Sequence, residues 1–265
     1  MFFTKFKKLL HSFKYIPLKY FDLHFKIFDA CKEGDLNTVE YLLTTKFLLF
    51  QTDINWRDDF FVTTASSNKH YDIVKFLLTS KKLKNHANIH AQDDVLLINA
   101  CSNNNVDMVN FLLTSPDLKE HIDIHTKGGN GDYYYYDANT PDIAFQAAYY
   151  NNSLDVIKYL LCSPKLKDNI DLTLHTEKIF EKIYKGNFSE EKKIETLNFL
   201  ILEVNLEKTP TISHFLISNK PNRKNNYNKL GLQISSIFEK RHLYQNLQNQ
   251  LKDDKIQKNR KIKKI

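Results

Sequence analysis

The chain has 265 residues, 42% of them hydrophobic, with a mean hydropathy of −0.47 and a formal net charge of +7. That composition supplies a continuous core, and the lack of any run of about 18 uncharged apolar residues argues against a membrane-spanning helix. The charge is unevenly spread: +5 over residues 1–26, −8 over 27–218 and +10 over 219–265, so the basic character lies in the two ends.

Of the 38 basic residues only Arg57, Arg223, Arg241 and Arg260 are arginine. Arginine reads guanine and phosphate through bidentate contacts, so base-specific nucleic-acid recognition is disfavoured. Cys31, Cys101 and Cys162 are odd in number and lack C-x-x-C spacing, as expected for reduced small residues of an intracellular protein.

In chain order, the first element is an N-terminal capping helix within residues 1–25. Phe2, Phe3, Phe6, Leu9, Leu10 and Phe13 fall on one helical face, and Pro17 breaks the pattern. Lys5, Lys7 and Lys8 leave no apolar h-region for a secretory signal. The alternative to a cap is a basic amphipathic helix on an anionic membrane surface; a cap is favoured because the first unit of a stacked array needs covering.

A repeat follows. Thr38–Leu43, Ile73–Leu78, Met108–Leu113 and Val156–Leu161 share one phrase, with anchors Val39, Val74, Val109 and Ile157 spaced 35, 35 and 48 residues apart. Nine residues before each anchor stands Ala30, Ala65, Ala100 or Ala148, and sixteen after it ends Asp53-Ile54-Asn55, Asn88-Ile89-His90, Asp123-Ile124-His125 or Asp171-Leu172-Thr173. Each copy reads as two short helices and a projecting finger. Small residues allow the first helices to approach closely, and the chain reverses at Gly34, Lys69, Asn104 and Asn152 in a left-handed conformation. The second helix carries a broad apolar stripe that it cannot bury alone, so copies must stack.

The order Ala30-Cys31-Lys32-Glu33-Gly34-Asp35, running on to Leu43 and Asp53-Ile54-Asn55, resembles the ankyrin repeat over residues 26–173, and weakly over 174–217. The resemblance implies an all-α, ankyrin-like helical repeat solenoid of about four to five repeats with helical caps. It departs from the family in the missing Thr-Pro-Leu-His opening of copies two and three, whose fingers are about three residues shorter. Leu197–Ile201 and the turn Lys185-Gly186-Asn187 give a degraded fifth copy, with about six extra residues between turn and second helix. The expected organisation is therefore a cap (1–25), the repeat domain (26–217) and a basic helical or disordered tail (218–265). The tail's helical pattern spans Leu230–Leu251, and its closing lysine run reads as a solvated end.

The 13-residue excess in the third spacing lies around Lys127–Asn139, with Gly128, Gly129 and Gly131 before Tyr133, Tyr134, Tyr135 and Tyr136. Tyrosines on a flexible projecting loop suit contact with a partner; the alternative is that they pack back on the neighbouring finger. His86-x-x-x-His90 and His121-x-x-x-His125 have metal-like spacing, but the repeat register accounts for it. No phosphate loop, nucleophile elbow or His-Glu-x-x-His motif occurs. The expectation is a non-enzymatic protein, without catalytic, cofactor or metal residues.

The resemblance implies a protein–protein interaction module whose partner sits against the fingers and first-helix face, through Trp56, Arg57, Gln92 and Tyr133–Tyr136. The alternative is an electrostatic anchor whose basic termini bind anionic membrane or nucleic acid, with the solenoid as spacer. A monomer is expected, intracellular and cytoplasmic, with a host-cell interior or the nucleus as alternative locations.

Overall fold

The computed structural model describes residues 16–45, 52–127, 142–218 and 227–262. Among the described residues there are twelve α-helices and no strand. The chain divides into two compact units, Met1–Asn169 and Ile170–Ile265.

The first unit holds four helix pairs at the four copies of the repeat. They are α1 (Ile16–Glu33) with α2 (Leu36–Thr44), α3 (Trp56–Ser67) with α4 (Tyr71–Thr79), α5 (Ala91–Ser102) with α6 (Val106–Thr114), and α7 (Ile143–Tyr150) with α8 (Leu154–Cys162). First helices pack on first helices of the next pair, more extensively than second helices pack on second. The alanines make that approach possible: Ala65, Ala100 and Ala148 have no exposed surface, and Ala30 is buried. The anchors Val39, Val74, Val109 and Ile157 are likewise fully buried, as stacking of apolar stripes requires.

One local device closes each first helix. Gly34, Lys69, Asn104 and Asn152 have φ of 82°, 68°, 55° and 50°, the left-handed conformation expected at all four reversals. The next amide then donates back to the repeat alanine: Asp35 to Ala30 (2.9 Å), His70 to Ala65 (2.9 Å), Asn105 to Ala100 (3.0 Å) and Ser153 to Ala148 (2.9 Å). These are the six-to-one bonds of a Schellman closure, which occupy carbonyls a helix end leaves open. Asp35 and Asn105 go on to cap the second helix through Thr38 N–H (3.0 Å) and Met108 N–H (2.8 Å).

One boundary differs from the sequence reading. Helix α1 is continuous from Ile16 to Glu33, so the division expected between residues 25 and 26 falls inside it; Pro17 lies in its first turn. Proline is tolerated there because the amide it lacks would be unbonded anyway. The Phe-rich stripe of residues 2–13 lies outside the described residues.

The second unit opens with a 3₁₀ turn, Leu172–Leu174, followed by α9 (Thr176–Lys185) and α10 (Glu190–Asn198), which runs into a π-helical segment, Phe199–Glu203. This is the degraded fifth pair. Ser189 caps α10 through Lys192 N–H (3.3 Å), so the extra residues after the turn are helical. Helices α11 (Pro210–Ser218) and α12 (Tyr227–Ile262) complete the unit, and α12 packs on α10 and the π segment. Ile179, Ile183, Leu197, Leu200, Ile201 and Ile234 form its core, all with no exposed surface. Helix α12 runs past the expected Leu251 to Ile262; no Gly or Pro after Gly231 interrupts it.

Candidate partner-binding fingers

The chain leaving a second helix is pinned back onto it. Ala87 N–H donates to the Leu77 carbonyl (3.0 Å) and Ile122 N–H to that of Leu112 (3.3 Å). His86 and His121 play one repeated part in these loops: their Nε2 atoms meet the carbonyls of Ser80 (3.1 Å) and Ser115 (2.9 Å). Next comes the Asp-Ile-Asn phrase, whose first side chain accepts from the amide two residues on: Asp53 from Asn55 (3.0 Å), Asn88 from His90 (3.0 Å) and Asp123 from His125 (2.9 Å). These are Asx turns, and each buries its central Ile54, Ile89 or Ile124.

The finger tips hold the array's strained backbone. Arg57, Asp58 and Asp59 have φ of 50°, 59° and 58°; Gln92, Asp93 and Asp94 have 47°, 56° and 64°. Three consecutive left-handed residues, none of them glycine, therefore recur 35 positions apart, at a cost of about 1 kcal/mol each. In the fourth copy Asp142 also occupies this conformation, at 66°. Such strain persists only where surrounding bonds over-determine it.

Those bonds come from the last aspartate of each tip. Asp59 Oδ1 accepts from Asn55 Nδ2 (2.7 Å) and from the Asn88 amide of the next finger (2.8 Å). Asp94 Oδ1 meets His90 Nδ1 (2.7 Å), and its Oδ2 accepts from Thr126 Oγ1 (2.6 Å), again one finger on. Asp142 Oδ1 meets His125 Nδ1 at 2.6 Å. The residue ending each phrase (Asn55, His90 or His125) thus holds the left-handed aspartate, and the aspartates of the first two tips also tie neighbouring repeats. Burial pushes the Asp59 carboxyl above its ordinary range, opposed by the Asn88 and Asn55 donors.

The proposed contact residues separate into two groups. The Trp56 ring is half-buried in an aromatic cluster, with Phe61 stacked on it at 5.7 Å, His24 at 5.1 Å, and Phe25 and Phe60 edge-on at 5.9 and 6.3 Å. Arg57 lies with its guanidinium 4.6 Å from the same ring's centre, and its side chain is exposed. Gln92 is also exposed and spans to the preceding tip, donating to the Asp58 carbonyl at 3.4 Å. Tyr133–Tyr136 lie outside the described residues. The paired acids Asp58-Asp59 and Asp93-Asp94, recurring in register, read as finger-tip turns in the sequence, and Asp58 and Asp93 are exposed at the two tips.

Among the described residues, no group of three or more His, Cys, Asp or Glu side chains could hold a metal ion. No disulfide joins the three cysteines; Cys31 and Cys101 are buried and Cys162 is exposed. Burial pushes the Cys31 thiol up to about 12 and raises that of Cys101 as well, so neither forms the reactive thiolate at neutral pH. No described helix is long and apolar enough to cross a membrane.

A family model described as ankyrin repeats (three copies) matches residues 27–127 and, in a second overlapping match, residues 64–175. Neither the curated proteins nor the solved structures contain a match. Ankyrin repeats are in general protein–protein interaction modules and typically non-enzymatic. The matched residues cover more than half of the chain and coincide with the four helix pairs, so this chain belongs to the ankyrin-repeat family.

Proposed function

We propose that the chain is a protein–protein interaction module that presents its finger tips and the Tyr-rich insertion to a protein partner. The observation that carries this reading is the row of strained tips: two successive fingers hold three left-handed residues each, and both turn exposed side chains outward (Arg57 and Asp58, then Gln92 and Asp93). Strain maintained by inter-repeat bonds fixes the tips before a partner arrives, which lowers the ordering cost of binding. Trp56 supports Arg57 from below as part of the aromatic cluster, while Tyr133–Tyr136 follow the third repeat in sequence.

The test is capture of a partner from eukaryotic lysate by the full chain at about 150 and 500 mM salt, since phosphate binding by lysine weakens steeply over that range. Three variants are compared with the wild type: Arg57→Ala with Gln92→Ala, Tyr133–Tyr136→Ala, and Lys255, Lys258, Lys261, Lys263 and Lys264→Gln. Retention at high salt, loss in the first two and indifference to the third supports the reading. Loss confined to the lysine variant, together with loss at high salt, would assign the binding to the basic tail and overturn it.

A further inference from the structure

Within the C-terminal unit, the loop between the π segment and α11 borders a cavity of about 370 Å³ that gathers positive charge. Glu207 and Lys208 of the loop line it together with Phe238, Arg241, His242 and Gln245 of α12. A neighbouring cavity shares Arg241 and Gln245, but its other lining residues are uncharged. The loop is held at both ends. Asn205 turns it in the left-handed conformation (φ 61°), and Leu206 N–H donates to the Leu200 carbonyl at 2.7 Å. Thr209 Oγ1 accepts from Ile212 N–H (3.2 Å) at the start of α11.

Both cations are positioned by contacts that leave their charge unneutralised. Arg241 Nη1 donates to the Leu206 carbonyl, which fixes the guanidinium beside the loop. The Lys208 ammonium stands 5.6 Å from the centre of the buried Phe238 ring, whose face attracts it. No ion pair among the described residues involves either of them, and Glu207 is the one acid at the cavity. Arg241 Nε is moreover buried with no hydrogen-bond partner, a position in which a charged donor ordinarily finds an acceptor.

We infer that this cavity binds the phosphate group of a small soluble phosphate monoester. Two cations match a group that carries a charge of about −1.5 to −2 at neutral pH, and even with Glu207 opposing them an excess of positive charge remains. A guanidinium fork, an ammonium, an imidazole and the Gln245 amide supply more donors than the two oxygens of a carboxylate need, and suit a tetrahedral group with three terminal oxygens. The cavity has the size of a small-molecule site and leaves room for more than the phosphate itself. An anionic lipid surface is recognised instead by about four to eight clustered lysines or arginines. From residue 242 to residue 252 the exposed part of α12 holds one, Lys252. The site rests on none of the finger residues.

Titration of the full chain with inorganic phosphate and with glycerol phosphate, at constant ionic strength, tests the proposal. The backbone amides of Lys208 and Gln245 are followed by nuclear magnetic resonance. Both probes should shift them saturably, with half-effect at about 1 mM. Lys208→Gln should weaken binding roughly tenfold; the residue is exposed, and circular dichroism will show the helix content retained. Arg241→Lys keeps the charge but loses the fork, and should weaken it roughly fivefold. Lys240→Gln, exposed on the same helix but outside the cavity, should leave it unchanged. Shifts that do not saturate, or equal weakening by Lys240→Gln and Lys208→Gln, would reveal only general attraction to a basic surface and overturn the proposal. A response to inorganic phosphate that glycerol phosphate does not share overturns the ester. Binding confined to phosphatidylcholine vesicles that carry a phosphatidylinositol phosphate, with no response to either soluble probe, places the group on a lipid and overturns the soluble ligand.

Discussion

In the repeat array, carbonyls at the ends of first helices are closed by the main chain; in the C-terminal unit, a helix-end carbonyl and a loop carbonyl are reached by single long side chains. Asp35, His70, Asn105 and Ser153 donate their amides to four equivalent alanines. By contrast, the carbonyl of Tyr184 near the end of α9 receives the buried Lys193 Nζ at 3.0 Å, and that of Leu206 receives Arg241 Nη1. The first solution needs only a left-handed residue followed by an amide, and Lys69 shows how little it asks of the side chain. The second depends on one particular cation. A backbone solution can be copied from repeat to repeat with drifting sequence, whereas a side-chain solution leaves no periodic trace. The family match accordingly ends at residue 175, before most of the fifth pair.

The largest expected effect is at the tie between repeats. Asp59→Ala removes the acceptor of both the Asn88 amide and the Asn55 side chain, in a buried site, and should cost roughly 2–3 kcal/mol in urea denaturation. Asp59→Asn, which keeps an acceptor oxygen, should cost less than half of that. Next come the turns. A methyl group on Gly34 would stand 2.5 Å from the His70 ring, at a φ of +82°, so Gly34→Ala should destabilise by about 2 kcal/mol. Lys69→Gly relieves a left-handed residue that has a Cβ and should stabilise by about 1 kcal/mol, a change of opposite sign at the equivalent position.

The smallest effect lies in the C-terminal unit. Burial lowers the Lys193 ammonium from its ordinary range, only partly opposed by Glu190. The unfolded chain therefore still holds this proton at pH values where the folded chain has released it. Between the lowered folded value and about 10.5, stability contributed by Lys193 rises with pH. Lys193→Met removes that slope, so wild type should gain on the variant as pH is raised from 8 to 10. A difference between them that is flat with pH would show that the ammonium is not desolvated.

The helix pairs were legible because three features recur in one register, and the left-handed turns because Gly34, Asn104 and Asn152 are residue types that tolerate that conformation. Lys69 followed from register alone. The finger-tip turns were marked by paired acids in register, but their strain was not legible: Arg57-Asp58-Asp59 and Gln92-Asp93-Asp94 carry no glycine or asparagine, and the strain is sustained by partners 29 to 32 residues away, which no local propensity records. The histidine pairs were attributed to the repeat, but their work of bonding a loop carbonyl and a tip aspartate needed the folded chain. The full reach of α12 was hidden because residues beyond Leu251 lack the apolar spacing by which helices are recognised.

Amide hydrogen exchange resolved to single residues tests most directly the claim that one backbone closure holds all four repeats. The amides of Asp35, His70, Asn105 and Ser153 should all be protected well above the exposed loop residues Lys81 and Lys119, and Lys69→Gly should leave that of His70 protected or more so. If His70 exchanges as fast as those loops while Asp35 and Asn105 stay protected, the closure is a property of glycine and asparagine. The account of a shared, sequence-tolerant device would then be wrong.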